Sequence, residues 1–202
     1  MILPNKYKHK GNPVLDDLKF IHQKDVSDAL GAAARGLARI EAVEAWLPEI
    51  ATARNPAKQL AQELLGKTIV VYAGPELHPA AEAWKAACNT HARQLAWCAR
   101  IDRESELLGW TGQPVDKPYA VVELRSGLEG REVQAFFAVA ERHLSGMRPA
   151  PIIVEAQGRT LDEQLQWAAA YGEFVAIYLG LLNGFDPSGA AMFQKFRKEL
   201  SI

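Results

Sequence analysis

The stretch KTIVVYAG, residues 67–74, is a short apolar run that is rich in β-branched residues and ends in glycine. Runs of this kind are typical of strands in a parallel sheet, because helices cover both faces of such a strand. Two later stretches share this character: YAVVELRS at 119–126 and PIIVEAQG at 151–158. A weaker fourth strand is predicted around AWCARID at 96–102.

Segments with helical periodicity separate these strands. The first is predicted to begin with Asn55 as its N-cap and Pro56 at its first position, and to end near Gly66. The others are HPAAEAWKAACNTHARQLAW (78–97), ESELLGW (104–110), REVQAFFAVAERHL (131–144), LDEQLQWAAAYGEFVAIYLGLLNG (161–184) and the C-terminal stretch NGFDPSGAAMFQKFRKEL (183–200). The alternation predicts an α/β fold, a three-layer αβα sandwich around a parallel sheet with right-handed crossovers.

The composition limits the classes of protein that fit. The chain has 202 residues, of which 49% are hydrophobic, and a formal net charge of -1. That is enough for one well-buried core, and no basic excess points to nucleic acid. No uninterrupted apolar run reaches the roughly 20 residues of a membrane span. Residues 1–50 are interpreted as an N-terminal arm with a helix, and residues 51–202 as the folded domain.

The cysteines and histidines give no sign of a metal or redox centre. Cys88 and Cys98 form no CxxC pair, and the five histidines share no ligand spacing. We therefore expect two reduced thiols, a cytoplasmic location, and neither a metal nor an organic cofactor. The start, MILPNKYKHK, lacks the apolar core of a secretory signal.

Candidate functional residues follow from the sheet, because ligands of open parallel sheets bind outside the carboxyl ends of the strands. Ser126 and Gly127 precede a predicted helix, whose free amides favour an anion; a solvated glycine turn is the alternative. Glu104 and Glu106 follow the weaker strand and are interpreted either as proton-transfer groups or as solvated charges. His91 is either a catalytic imidazole or a packed, hydrogen-bonded residue.

Four segments, taken in order, resemble the C-terminal sugar isomerase (SIS) domain of the bifunctional phosphoglucose/phosphomannose isomerases of archaea and bacteria. NPAKQLAQELLGKTIVVYAG (55–74) is similar to the family's Asn-x-Ala-Lys helix and first strand, and AWKAACNTHAR (83–93) to its Trp-Lys…Asn-Glu-Asn-Ala-Lys segment. ESELLGW (104–110) resembles the end of its His-Asn-Glu…Gly-Trp segment, and AIYLGLLNGFDPSGAAMFQKFRKEL (176–200) its Tyr-Leu-Ala…Asp-Pro-Thr-Pro…Leu-Lys ending. The likeness covers roughly residues 50–202.

This chain differs from the family pattern at several positions that carry the family's chemistry. Thr90 stands where the family has the glutamate that moves a proton between C1 and C2, and His91 replaces the second asparagine. Glu104 takes the place of the histidine assigned to ring opening, while Glu106 matches the glutamate that follows it. Arg197 replaces a lysine near the substrate, which keeps the charge and changes the geometry.

The resemblance also implies binding residues and partners. Asn89 and Arg93, in the matching segment, are predicted to contact substrate together with Ser126 and Gly127. The expected substrate is a phosphorylated hexose. Because the family builds its site across chains, a homodimer or a partner SIS domain is expected, and no first SIS domain fits into residues 1–50.

Three functions remain open on this basis. The first is aldose–ketose isomerisation of phosphosugars, with His91 or Glu104 replacing the missing base and a partner domain supplying the phosphate pocket. The second is a catalytically degenerate SIS domain that binds a sugar phosphate or a partner protein in a regulatory or structural role. An unrelated small α/β enzyme is a third. The first predicts that Thr90, His91, Glu104 and Arg197 share one pocket at the mouth of the sheet.

Overall fold

The computed structural model describes residues 55–112, 118–186 and 191–200. The N-terminal arm and helix expected within residues 1–50 lie outside the described residues. The helices are α1 (Pro56–Leu64), α2 (His78–Ala87), α3 (Glu104–Leu108), α4 (Arg131–His143), α5 (Leu161–Leu182) and α6 (Ala191–Leu200). The strands are β1 (Thr68–Ala73), β2 (Ala96–Arg100), β3 (Tyr119–Arg125) and β4 (Ile152–Glu155), and a π-helical turn (Cys88–Ala92) and a 3-10 turn (Gly109–Gly112) complete the elements.

The four strands form one parallel sheet in the order β2-β1-β3-β4. Val71 of β1 lies opposite Cys98 of β2 on one side and Val122 of β3 on the other. Leu124 of β3 lies opposite Val154 of β4. The predicted fourth strand is therefore confirmed as an edge strand, β2, and the parallel α/β fold class is confirmed as well.

Helices cover both faces of the sheet, as predicted for a three-layer sandwich. One face packs against α1, α2 and α5, and its core is the larger one, with Trp84 and Phe174 fully buried. The other face packs against α4 and the turn that carries Trp110, and it includes Tyr72 and Phe137. Side chains of β1 alternate between these two cores because successive residues of a strand point to opposite faces.

Local sequence signals set the helix ends where they were predicted, with one exception. The Asn55 side chain accepts hydrogen bonds from the amides of Ala57 (2.9 Å) and Lys58 (3.3 Å), which caps α1 in front of Pro56. The predicted helix at 78–97 is too long. The structure ends α2 at Ala87 and the following π-turn at Ala92, because Arg93 adopts a left-handed conformation (φ 48°) that stops the helix.

The helix α5 is the central element of the larger core. Its 22 residues and mean hydropathy of 1.3 match a membrane span in length and composition. Within the described domain, however, 72% of that apolar window is buried, which is the pattern of a core helix. Two glycines let its neighbours approach closely: a Cβ on Gly172 would lie 2.3 Å from Trp84, and one on Gly180 would lie 2.4 Å from the His91 carbonyl oxygen.

Candidate functional site

The residues predicted to form one site lie at opposite ends of the sheet. Thr90 and His91 occupy the π-turn that leads into the amino end of β2, whereas Glu104 follows the carboxyl end of the same strand. The separation arises because a crossover helix runs back along the strands, so that α2 ends where β2 begins. A strand of this length spans about 13 Å, at roughly 3.3 Å per residue. The expectation of a single shared pocket is therefore wrong for one chain.

The remaining predicted residues divide in the same way. Asn89 and Arg93 join the group at the amino end, which is exposed apart from the half-buried His91. Glu106, Ser126 and Gly127 lie at the carboxyl end. Arg197 lies on α6, and its side chain is exposed.

At the amino end, the main feature is an imidazole–carboxylate pair that the sequence analysis missed. His91 Nε2 lies 2.6 Å from Oε1 of Glu173 on α5, and the two side chains are only 18% and 25% exposed. Glu173 is the one charged residue between Leu165 and Leu182. A single charge inside so apolar a helix is a signal that could have identified it, because an ionised group there needs a partner.

The backbone around this pair is held by side-chain amides. Asn89 Nδ2 donates to the carbonyl oxygens of Lys85 and Ala96, each at 2.8 Å, and its Oδ1 accepts from the Ala96 amide at 3.2 Å. Asn89 therefore joins the end of α2 to the start of β2. These hydrogen bonds are sufficient to explain the orientation of the Asn89 side chain. They give no support to its predicted role in substrate binding.

Arg93 has a surface position beside the same turn. Its guanidinium carbon lies 4.6 Å from the centroid of the Phe185 ring. That contact is a cation–π arrangement, which holds a positive charge at this end of the sheet.

At the carboxyl end, the polar groups of the loop predicted to bind an anion are hydrogen-bonded to one another and to α5. The Ser126 hydroxyl donates to Oε1 of Gln164 and accepts from the Leu128 amide at 2.9 Å. The Ser126 amide donates to Oε2 of Glu129 at 3.2 Å. The amide and the hydroxyl of Ser126 are therefore already paired within the domain, whereas Gly127 lines the neighbouring cavity.

Glu129 is the second residue that the sequence analysis missed. Only 5% of it is exposed, and its Oε1 has no hydrogen-bond partner among the described residues. Burial raises the pKa of this carboxyl to about 7; the Ser126 amide opposes the shift, and Glu76 and Glu155 add to it. Nothing local marks Glu129 in RSGLEGRE, because its burial comes from packing against Gly74 of the neighbouring strand end.

Two cavities adjoin the carboxyl half of the sheet. The smaller, about 270 Å³, lies beside Glu129 and is also lined by Arg125, Gln134 and Glu155. The larger, about 420 Å³, lies over β1 and β2 and is lined mainly by aromatic side chains together with Glu106; the aromatic residues are Tyr72, Trp97, Trp110 and Tyr119. The backbone carbonyl oxygen of Glu106 accepts a hydrogen bond from the hydroxyl of Tyr72, which also lines this cavity, at 2.9 Å.

Comparison with known proteins identifies the family. A sequence model of the family described as bacterial phospho-glucose isomerase C-terminal SIS domain matches residues 53–200. The chain belongs to this family. The resemblance stated from the motifs is therefore confirmed, and the domain is of the sugar isomerase kind.

Individual relatives agree with that assignment. The bifunctional phosphoglucose/phosphomannose isomerase of Aquifex aeolicus is 20% identical over 149 residues, which cover 73% of this chain and 47% of that protein. A glucose-6-phosphate isomerase-like protein from Thermus thermophilus superposes with a TM-score of 0.60 at 27% identity, over 87% of this SIS chain and 55% of its own.

A more distant structure shows the fold alone. The C-terminal domain of glucosamine-fructose-6-phosphate aminotransferase from Francisella tularensis has a TM-score of 0.52 at 12% identity, over 99% of this chain and 55% of its own. The SIS chain spans about half the length of the relatives it matches.

Proposed function

We propose that this SIS domain takes part in aldose–ketose isomerisation of a phosphorylated hexose, with His91 as the proton-transfer group. The observation that carries the proposal is the 2.6 Å contact between His91 and Glu173, immediately beside Thr90. Thr90 stands at the position of the family's catalytic glutamate and cannot itself act as a base near neutral pH. The pair therefore supplies a carboxylate and an imidazole next to the position where this chain lacks the family's catalytic glutamate.

The geometry suits proton transfer. A carboxylate 2.6 Å from Nε2 favours the tautomer with its proton on Nε2, which leaves the basic lone pair on Nδ1. Nδ1 takes the proton from C2 of the aldose and returns it to C1 through an enediol, while the hydroxyl proton of O2 moves to O1. Glu173 stabilises the imidazolium that forms in between, as the carboxylate of a catalytic triad does.

The site needs a second SIS domain. In one chain the His91 end of the sheet lies about 13 Å from Glu104, measured along β2. A homodimer, or a partner SIS domain, can bring the carboxyl end of one domain to the amino end of another. We place the assembly in the cytoplasm.

A non-catalytic SIS domain is the second candidate, and the exposure of two positions favours it. Thr90 and Glu104 replace the family's base and histidine, and both side chains are exposed without a buried environment to tune them. Each lost acid–base group lowers the rate by about 10²–10⁴-fold. On this alternative the domain binds a sugar phosphate or a partner protein and acts as a regulatory or structural subunit.

A coupled assay of fructose 6-phosphate to glucose 6-phosphate conversion distinguishes the two. The isomerase proposal expects turnover by the purified chain, a loss of about 10²-fold or more in kcat for His91→Ala, and an intermediate loss for Glu173→Gln. His143→Ala, on the exposed end of α4, is the matched control and should retain wild-type activity. No turnover, together with a rise in Tm on adding millimolar fructose 6-phosphate, would support the binding role instead.

A further inference from the structure

A third cluster of reactive side chains lies on the outer flank of the domain, away from both ends of the sheet described above. His78 is the first residue of α2, Glu82 lies one turn further along the same helix, and Cys98 lies in the middle of β2. One ligand atom from each of the three lies within 4.8 Å of the others. We propose that His78, Glu82 and Cys98 form a binding site for a divalent transition-metal ion, of which Zn²⁺ fits best.

The spacing follows from the fold. Residues four apart on a helix share a face, and the face that carries His78 and Glu82 packs against β2. His78 Nε2 lies 3.7 Å from Oε1 of Glu82. In a tetrahedral zinc site with bonds of about 2.0–2.3 Å, donor atoms are separated by roughly 3.3–3.8 Å. The cluster therefore needs only a small contraction, which the exposed Glu82 side chain can supply.

The donor set indicates which ion would bind. Imidazole nitrogen, thiolate sulfur and carboxylate oxygen together suit Zn²⁺, whereas Mg²⁺ and Ca²⁺ take oxygen ligands. Three protein ligands leave a fourth position for water. Because β2 is an edge strand, this position can face solvent.

The three donor groups lie close together, and one ring nitrogen of His78 is unsatisfied within the described part of the chain. His78 Nδ1 is buried and has no hydrogen-bond partner among the described residues. The Cys98 thiol hydrogen-bonds to the Glu82 carboxylate, so the helix and the strand already bring two of the three donor groups together.

One neighbour competes with the metal. The Lys85 ammonium hydrogen-bonds to Glu82 and must move away when a cation binds. Lys85 is about one-third exposed and Glu82 about half, so the two form a surface ion pair, a kind of contact that holds its members weakly. The Lys85 side chain can move into solvent and leave Glu82 to bind the ion, so the Lys85–Glu82 ion pair does not block the site.

The site is independent of the proposed isomerase chemistry. Cys98 points toward α2, and the cluster ties the edge strand to its covering helix. A bound ion would therefore fix the edge of the sheet rather than contact substrate. The test needs no activity measurement, and a failure of either proposal leaves the other standing.

The experiment uses the full chain, stripped of metal with a chelator and titrated with Co²⁺ and then with Zn²⁺. One Co²⁺ per chain should produce a thiolate-to-metal charge-transfer band, and Zn²⁺ should abolish it. Cys98→Ser should remove the band. Cys98→Ser, His78→Ala and Glu82→Gln should each weaken Zn²⁺ binding by about tenfold or more in competition with a chromogenic chelator.

Matched controls make the result specific. Cys88→Ser changes the other cysteine, and Lys85→Gln removes the competing cation; the first should keep the band and the second should tighten binding. Glu82 is exposed, so Glu82→Gln tests the site even if Cys98→Ser fails to fold. Absence of the band in the wild type, or equal Zn²⁺ affinity in the wild type and Glu82→Gln, would overturn the proposal.

Discussion

Replacing Glu129 by glutamine should stabilise the domain at neutral and alkaline pH and leave it unchanged in acid. The residue is only 5% exposed, faces Gly74, and has one carboxyl oxygen without a partner among the described residues. Its pKa rises from 4.5 to about 7 on folding, mainly because burial disfavours the charged form. Glutamine has the shape of the protonated acid and keeps an oxygen for the Ser126 amide.

The size of the effect follows from proton linkage. Between pH 4.5 and about 7 the folded state binds more protons than the unfolded state, so stability falls as the pH rises through this range. Each unit of pKa difference corresponds to about 1.4 kcal/mol, which gives an upper value of about 3 kcal/mol above pH 7. This is a large share of the roughly 5–15 kcal/mol that ordinary domains possess.

Urea unfolding at pH 4.5 and pH 8, followed by circular dichroism, measures the difference. The free energies of unfolding of the wild type and Glu129→Gln should agree within about 0.5 kcal/mol at pH 4.5, and the variant should exceed the wild type by about 2–3 kcal/mol at pH 8. Glu132→Gln, exposed on the first turn of α4, should change little at either pH. A difference between wild type and Glu129→Gln that is the same at both pH values would refute the reasoning.

Two further substitutions test the packing of the core. Gly180→Ala should lower the free energy of unfolding by about 1–3 kcal/mol, because its Cβ would lie 2.4 Å from the His91 carbonyl oxygen, whereas Gly127→Ala, with open space around it, should change Tm little. Wild-type stability in Gly180→Ala would mean that α5 and the π-turn are not in close contact. Glu123→Ala should lose about 3–5 kcal/mol in urea unfolding, because it leaves the buried Arg148 guanidinium, 2.7 Å from Glu123, without its carboxylate. The double variant that also replaces Arg148 by methionine should recover part of this loss, and a double variant less stable than Glu123→Ala would contradict the account.

Local patterns in the sequence were enough for most of the fold. The β-branched runs at 67–74 and 119–126 predicted buried strands because helices must cover both faces of a parallel sheet. Asn55 and Pro56 predicted the start of α1 because capping depends only on neighbouring residues. The family could also be inferred from the order of four short motifs.

The candidate site could be predicted only in part. His91 was identified as a candidate, but its partner Glu173 lies far along the chain on α5, and no local pattern links the two. Ser126 was expected to face an anion, and the structure pairs it with Gln164 and Glu129 instead. The spacing of residues in the sequence does not indicate which polar groups will find hydrogen-bond partners inside the folded domain.

The sequence by itself therefore determined most of the secondary structure, the parallel α/β class and the family, because these depend on periodicity, capping and short motifs. Only the tertiary structure decided which side chains meet. It placed Thr90 and Glu104 at opposite ends of β2, and it buried Glu129 against Gly74. The physical reason is that burial and ionic contacts between distant residues depend on how the helices pack on the sheet. The order of residues along the chain does not contain the distances that this packing sets.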